Sequence, residues 1–302
     1  MRVGPWGPLT AHGPPPTGGG SNSIPSALRW GGMHFSVAGN VMRTLLEELD
    51  IPHPALPAGL EGLAILHLSD FHIRRPWRRC RVLVEMVDLV SRRAVDLVCL
   101  TGDYVEKLGC EDEAVDLLKE IAGSASPRLG FFGIHGNHDP PELVARASAI
   151  PGIRWLLNET VALDGIEVVG ISEPEDPLAA VLNGPRRPGV GGGPAFRIGL
   201  AHYPTNLVPA VGLGIDLLLA GHTHGGQIRV SAAYAPHTSC DLSPATASGL
   251  LRYGSTLCCI SRGLGQTVVP WRFRCPPQVG VYRLRRGDLG GTGAGIERLL
   301  AW

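Results

Sequence analysis

The first half of the chain alternates short apolar runs with segments whose apolar residues recur at helical spacing. Three apolar runs predict strands, at 63–68, 96–100 and 130–134. Two helices are predicted after the first two strands, over 79–92 and 114–121, and a third begins near 140–141, where two prolines suit a first helical turn. This alternation favours right-handed crossovers and a mostly parallel sheet.

The second half shows a different pattern, in which short apolar runs follow one another with few helical segments between them. It predicts seven further strands, at 160–163, 167–171, 197–201, 216–220, 227–230, 257–261 and 279–284. Together the two halves predict an α/β fold, a two-layer mixed β-sheet sandwich flanked by helices.

The chain divides into one folded domain and two flanking segments. Residues 1–44 are predicted to comprise a disordered segment rich in proline and glycine and a short connection into the domain. A short helix is predicted over 36–50. The domain is predicted to span 45–288, with a glycine- and proline-rich loop at 185–194, and residues 289–302 form a tail.

Composition excludes some classes of function. The 27 basic and 27 acidic residues balance, which disfavours a general nucleic-acid binder, and no apolar run is long enough to span a membrane. The seven cysteines are odd in number and lack a C-x-x-C pair, so reduced thiols are expected. We expect a cytoplasmic protein, with peripheral contact with the membrane left open, and no obligate protein partner.

Clusters of polar residues follow five of the predicted strands, at 69–72, 101–103, 136–139, 201–202 and 221–227. The carboxyl ends of parallel strands meet at one crevice, so these loops are expected to converge. Besides His138 and Asp139, they contribute two aspartates, one asparagine and four histidines. Such oxygen and imidazole donors suit Mn, Fe, Zn or Mg, and one tetrahedral site needs only four ligands. The seven candidate ligands exceed the four that one ion needs, which suggests two divalent ions.

The order of these clusters, D-x-H, G-D, G-N-H-D, H and G-H-x-H, resembles the calcineurin-like metallophosphoesterase superfamily. The string GHTHGGQ at 221–227 is similar to a bacterial branch that includes cell-envelope phosphodiesterases and hydrolases of UDP-diacylglucosamine. The resemblance covers about residues 45–285. The chain departs from the pattern at three places. Arg74 stands where the family often has glycine, Gln278 stands where the branch usually has an acid, and the segment 170–174 reads GISEP in place of a Gly-Val-Asp-Asp-like segment.

The resemblance implies a role for each site residue. One metal is expected on Asp70, His72, Asp103 and His224, and the second on Asp103, Asn137, His202 and His222. Asp103 would bridge the ions, and a metal-bridging hydroxide would attack phosphorus. His138 is expected to protonate the leaving oxygen or stabilise its charge, and Asp139 to orient His138.

The resulting prediction is a dinuclear phosphodiesterase acting on a small or lipid-linked phosphate or diphosphate ester. Alternatives are a non-catalytic scaffold, which should have lost ligands although none is missing here, and a nuclease, which the balanced charge disfavours. Arg262 and Arg272 are candidates for binding the substrate phosphate, with surface charge as an equal alternative. The arginine-rich run 74–81 is either a solvated helix face or a patch for an anionic lipid headgroup.

Overall fold

The computed structural model describes residues 30–34, 45–171, 194–231, 234–240, 242–290 and 295–300. Within these ranges the chain forms fourteen strands and four α-helices. The strands are β1 (Trp30–His34), β2 (Leu45–His53), β3 (Ala64–Leu68), β4 (Leu97–Thr101), β5 (Phe131–Ile134), β6 (Ile153–Trp155), β7 (Thr160–Leu163), β8 (Ile166–Ile171), β9 (Phe196–Ala201), β10 (Leu217–Ala220), β11 (Gly249–Tyr253), β12 (Thr256–Ile260), β13 (Gln278–Arg286) and β14 (Glu297–Leu300). The helices are α1 (Arg81–Ser91), α2 (Glu111–Ser124), α3 (Pro141–Ala147) and α4 (Leu207–Gly212).

The strands form two seven-stranded sheets. The first has the order β1-β2-β13-β3-β4-β5-β6, and β3 to β6 run parallel. The second has the order β14-β11-β12-β10-β9-β8-β7, with β8, β9, β10 and β12 parallel. Antiparallel partners such as β13 beside β3 and β11 beside β12 make both sheets mixed. The predicted two-layer mixed sandwich is confirmed.

Alternate residues of the central strands face different layers of the core. On β4, Leu97 and Cys99 belong to the cluster between the sheets, whereas Val98 and Leu100 pack in the cluster that contains the helical residue Leu118. A strand covered on both faces needs apolar residues at every position, which explains the continuous apolar runs in the sequence. A smaller cluster packs α4 against the outer face of the second sheet.

Two predicted elements are wrong. The helix predicted over 36–50 is a strand from residue 45 onward, because β13 pairs with β2 along its whole length and Leu46, Leu49 and Ile51 are buried. This tertiary pairing overrides the helical spacing of the leucines. The strand predicted at 227–230 is a turn with one bridge, Ile228 to Phe273.

Both sheets use residues outside the predicted domain boundaries. The strand β1 lies within the segment predicted to be disordered, and β14 lies within the predicted tail. The remainder of 1–44 and nearly all of the predicted loop at 185–194 lie outside the described residues. In the described part of the chain, no helix has the length and apolar character needed to cross a membrane.

Candidate metal centre

The polar loops after β3, β4, β5, β9 and β10 converge at one edge of the sandwich. Backbone hydrogen bonds join the first two loops, since Asp70 N donates to Gly102 O at 2.9 Å and His72 N donates to Asp103 O at 3.0 Å. The second sheet is tied in by His222 N, which donates to Asp70 Oδ1 at 2.9 Å. The strand ends of both sheets therefore build a single site, as the sequence predicted.

The first cluster of donor atoms contains Asp70, His72 and His224, all buried. His224 Nε2 lies 3.6 Å from Asp70 Oδ1 and 2.9 Å from His72 Nε2. His72 Nε2 is 3.9 Å from the same carboxylate oxygen. A carboxylate and two imidazole nitrogens at these separations can surround one divalent cation.

The second cluster contains Asp103, His202 and His222. His202 Nε2 is 3.1 Å from Asp103 Oδ2 and 3.3 Å from His222 Nδ1. The same Asp103 oxygen is 3.3 Å from His72 Nε2 in the first cluster. Asp103 therefore lies between the two clusters, within reach of both.

The second ring nitrogen of three site histidines faces an acceptor. His72 Nδ1 is 2.6 Å from Glu106 Oε2, His202 Nδ1 is 2.7 Å from Thr101 O, and His222 Nε2 is 2.7 Å from Ser239 O. A proton on each of these nitrogens leaves the other nitrogen of the ring as a lone pair directed into its cluster. This is the tautomer that metal binding requires.

His224 is different, because its second nitrogen faces a donor. Arg272 Nη2 lies 3.3 Å from His224 Nδ1. A cation on His224 Nε2 leaves the ring proton on Nδ1, against the guanidinium. Three of the four site histidines therefore have a partner that supports metal binding directly, and His224 does not.

The donor set nevertheless fits divalent cations. Asp70 Oδ2 is buried and has no hydrogen-bond partner among the described residues. Burial acts to raise the pKa of Asp103, but the neighbouring His202 and His72 hold it well below the usual range. The pKa of His202 rises to about 9, because the Asp103 charge outweighs burial in the metal-free protein. A buried group of carboxylates that attracts positive charge this strongly suits a cation.

Backbone conformation also marks the site. Five candidate ligands adopt left-handed φ angles between 43° and 69°, namely Asp70, His72, Asp103, His222 and His224. Such conformations cost side-chain-bearing residues about 1–3 kcal/mol each and concentrate where function requires them.

The structure places Asn137 and His138 together in the exposed turn after β5. His138 N donates to Asp103 Oδ1 at 2.8 Å, which fixes the carboxylate that lies between the clusters. The imidazole of His138 contacts that of His72 edge-on, with ring centroids 4.9 Å apart. His138 is thus the partly exposed imidazole at the mouth of the site.

The predicted role of Asp139 in orienting His138 is not supported. The buried Asp139 carboxylate accepts hydrogen bonds from three backbone N–H groups, those of Asp103 at 2.9 Å, Tyr104 at 2.7 Å and Gly136 at 2.8 Å. Burial, with the Asp103 charge, raises the pKa of Asp139 to about 7. Asp139 joins the loops after β4 and β5 and acts on His138 only through the backbone.

The carboxylate nearest the His138 ring is Glu106, which the sequence analysis did not assign to the site. Glu106 Oε2 is 3.7 Å from His138 Nδ1 and also accepts from His72 Nδ1. Its other oxygen accepts from Arg74 Nη2 at 2.9 Å. The sequence feature that could have indicated this role is an acidic residue three positions after Asp103, in the same loop.

The structure matches neither alternative predicted for Arg262 and Arg272, a phosphate ligand or a surface charge. Their residues are 3% and 6% exposed, and their guanidinium groups bind protein acceptors. Arg262 Nη2 is 3.2 Å from Glu47 Oε2, and Arg272 Nε donates to Gly265 O at 2.8 Å. Both side chains connect neighbouring segments behind the site through these hydrogen bonds.

The arginine-rich run 74–81 is largely paired. Arg74 binds Glu106, Arg78 binds Asp116 and stacks on Trp77, and Arg81 binds Glu85. These pairs reduce the positive charge available to an anionic headgroup and favour the alternative of a solvated helix face.

Comparison with known proteins agrees with this geometry. The model of the calcineurin-like phosphoesterase family matches residues 63–226, which is more than half of the chain. The uncharacterized metallophosphoesterase YkuE of Bacillus subtilis is 26% identical over 250 residues, covering 79% of this chain and 84% of the relative. The phosphodiesterase YaeI of Escherichia coli is 28% identical over 237 residues, covering 73% and 81%.

A vertebrate relative is similar over a shorter length. The transmembrane protein with metallophosphoesterase domain of Danio rerio is 31% identical over 209 residues, covering 60% of this chain and 44% of the relative. The family match spans the five loops that build the site, from β3 to the turn after β10. The chain therefore belongs to the calcineurin-like phosphoesterase family and is a metal-dependent hydrolase of phosphoric esters.

Proposed function

We propose that this protein is a dinuclear phosphodiesterase that acts on a small or lipid-linked phosphate or diphosphate ester. The observation that carries the proposal is the position of Asp103. One of its carboxylate oxygens is 3.3 Å from His72 and 3.1 Å from His202, which belong to different donor clusters. A carboxylate shared in this way suits two cations held close together.

The two ions are assigned to the residues expected from the sequence. The first would be held by Asp70, His72, Asp103 and His224, and the second by Asp103, Asn137, His202 and His222. Imidazole and carboxylate donors favour Mn, Fe or Zn, and Mg is compatible with the oxygen ligands. When bound, such a pair supplies an acidified water as nucleophile and neutralises charge on the phosphate.

Residues of the chain position the ligands and transfer a proton. The backbone N–H of His138 holds Asp103 Oδ1, so the other oxygen stays directed at both clusters. The His138 imidazole, partly exposed at the mouth, is the group that donates a proton to the leaving oxygen. Glu106 holds the His72 ring from behind through its 2.6 Å contact with Nδ1.

Three considerations favour a phosphodiesterase over the alternatives. A scaffold that had lost catalysis should lack ligands, whereas every expected ligand residue is present in this chain. A nuclease needs a surplus of positive charge, and this chain has none. The YaeI relative is named a phosphodiesterase, which supports the same class of reaction.

Hydrolysis of bis-p-nitrophenyl phosphate tests the proposal. The purified protein should release p-nitrophenolate when Mn²⁺ is added and stop when the metal is chelated. His138→Ala is the matched control, since it should bind metal normally and turn over slowly. Absence of metal-dependent turnover, or equal turnover in His138→Ala, would refute the proposal.

A further inference from the structure

A cavity of about 340 Å³ opens beside the metal centre, between the turn at 223–228 and the segments 236–239 and 267–269. We call it the apolar cavity. One wall contains Ser239, whose carbonyl accepts from His222 at 2.7 Å. The opposite wall contains Val268, whose N–H donates to Glu106 Oε1 at 3.3 Å. The apolar cavity thus adjoins the mouth of the metal centre through both walls.

The polar groups that line the apolar cavity are largely occupied within the protein. The Gln227 amide donates to Thr267 O at 3.0 Å and to Val269 O at 3.1 Å, and its oxygen accepts from Thr267 N at 2.9 Å. Thr223 Oγ1 donates to Ala247 O at 2.6 Å. A polar occupant would find few free partners here and would lose its own hydration.

The other lining groups are mainly apolar. Ile228, Pro236, Val268 and Val269 contribute to the walls. The lining residue His237 pairs through Nε2 with Ser239 Oγ at 3.0 Å. A concave site of this size with apolar walls is typical of a binding site for an apolar group.

Apolar side chains continue from the cavity onto the surrounding surface. Ten large apolar side chains are exposed in the described residues. Five of them lie in the segments 225–240 and 262–277, which contain most of the residues that line the cavity: Val230, Tyr234, Val268, Trp271 and Phe273. The segments 225–240 and 262–277 contain no aspartate or glutamate. So many exposed apolar residues in two adjoining loops mark an interaction surface.

Val268 combines two unfavourable features. Its φ angle is +60°, a strained conformation for a β-branched residue, and its side chain is 82% exposed. Asparagine, which tolerates this backbone conformation, would be the less costly residue if nothing apolar bound there. Contact with an apolar ligand would remove the unfavourable exposure of the Val268 side chain.

We propose that the apolar cavity binds an apolar group attached to the scissile phosphate, so that the natural substrate is an amphiphilic phosphoester. The inference rests on the proposed function, because it assumes that the phosphate sits at the metal centre. Such a substrate has two possible sources, a dissolved monomer or a lipid surface, and both share the same chemistry.

The test compares methyl and octyl p-nitrophenyl phosphate as dissolved monomers with Mn²⁺. In each case water adds to phosphorus, the bond to p-nitrophenolate breaks, and the alkyl phosphate and a proton are released. We expect kcat/KM to be at least about tenfold higher for the octyl ester, which two buried methylenes suffice to supply. Equal values for the two esters would overturn the inference and leave the proposed function standing.

Val268→Asn removes the apolar side chain at an exposed position whose backbone suits asparagine. The octyl-to-methyl ratio should fall to within about threefold of one. Val208→Asn, on the exposed face of α4 and outside the apolar cavity, is the matched control and should retain the wild-type ratio. An unchanged ratio in Val268→Asn, or an equal fall in the control, would overturn the inference.

Binding without turnover separates the two proposals. Octylphosphonate and methylphosphonate, which have no cleavable ester, can be titrated calorimetrically into the Mn²⁺-loaded protein. Tighter binding of the octyl compound with no turnover of either ester supports the apolar cavity and refutes the proposed function. Equal binding overturns the inference whatever the turnover.

A hexadecyl p-nitrophenyl phosphate presented in phosphatidylcholine vesicles distinguishes the two sources. Hydrolysis that increases with vesicle surface supports an amphiphile taken from a lipid surface. Hydrolysis limited to the dissolved octyl ester supports a monomeric amphiphile. Hydrolysis of the methyl ester but of neither long-chain ester overturns the inference.

Discussion

Glu106 Oε2 accepts a hydrogen bond from His72 Nδ1 at 2.6 Å, so a carboxylate holds the ring of a candidate metal ligand from behind. Burial acts to raise the pKa of Glu106, but the contact with His72 and the charge of Arg74 lower it overall. Glu106 therefore stays ionised at neutral pH, as an orienting carboxylate must. Glu106 is therefore a charged neighbour of both the candidate metal ligand His72 and the proposed proton donor His138.

Glu106→Gln tests this relationship. Loss of the negative charge should lower turnover of bis-p-nitrophenyl phosphate, or affinity for Mn²⁺, by about 10–100-fold. The readouts are kcat and a Mn²⁺ titration of activity. Glu120→Gln, which alters an exposed pair with Arg78, is the control and should behave as wild type. Wild-type kcat and metal affinity in Glu106→Gln would contradict the assignment.

Asp103→Asn and His138→Ala should separate metal binding from proton transfer. Asp103 reaches both donor clusters, so its amide variant should lose metal from both, seen as a fall in Mn²⁺ bound per chain by mass spectrometry. His138→Ala should retain its metal and lose about 10²–10⁴-fold in turnover. Full metal content in Asp103→Asn would contradict the central position of this carboxylate.

Asp139→Ala should act mainly on stability. Removal of the carboxylate leaves three backbone N–H groups of the loops after β4 and β5 without their acceptor, and each unpaired group costs about 1–3 kcal/mol. Thermal unfolding should show a fall in Tm of several degrees. Asp112→Ala, at an exposed side chain paired with Arg146, should change Tm little. A stable Asp139→Ala protein with an altered pH profile of turnover would instead support an orienting role.

Much of the fold could be predicted because the central strands are apolar at every position. Strand β2 was missed for a physical reason: its leucines have helical spacing and it buries the charged residue Glu47. The three-residue strand β6 is too short to give a pattern, and the edge strand β14, with sequence ERLL, lacks the continuous apolar run of the central strands. Their positions depend on neighbouring strands that the local sequence does not specify.

The candidate ligands could be selected from the sequence because each follows a strand, in an order that resembles the pattern of the family. The partners of those residues could not, because side-chain directions are set by tertiary contacts. Asp139 follows His138 in sequence yet points to the backbone of the neighbouring loop. The sequence makes Arg262 and Arg272 candidates for phosphate binding or for surface charge, but their guanidinium groups are buried among protein acceptors.

Gly136→Ala should displace the carboxylate between the clusters. A Cβ at this position would lie 2.2 Å from Asp103 Oδ1 and 2.6 Å from Asp103 N, so the loop after β4 must move. Metal content and turnover should both fall. The matched control is Gly123→Ala in α2, where a Cβ meets nothing within 4 Å and the helix should gain up to about 1 kcal/mol. Normal metal content in Gly136→Ala would show that the loops tolerate the shift.

Glu47 provides a prediction about pH that does not depend on the metal centre. Its carboxyl is buried, accepts from Gln278 Nε2 at 2.7 Å and lies 3.2 Å from Arg262 Nη2. An acidic residue at position 278 would face Glu47 with like charge, whereas the amide of Gln278 donates a hydrogen bond to it. Burial raises the pKa of Glu47 to about 7, although the Arg262 charge opposes the rise.

The sign of the effect follows from proton binding. Between the ordinary glutamate pKa of 4.5, which applies to the unfolded chain, and the folded value of about 7, the folded state binds more protons at Glu47 than the unfolded state. Its contribution to the free energy of unfolding is therefore complete below pH 4.5 and is lost as pH rises through 7. The shift corresponds to about 3 kcal/mol. Urea unfolding of the chelator-treated wild type and Glu47→Gln should show a stability difference that declines by this amount between pH 4.5 and 8, because contributions from other groups cancel. Parallel curves would mean that Glu47 is charged, and stabilised by Arg262, throughout this range.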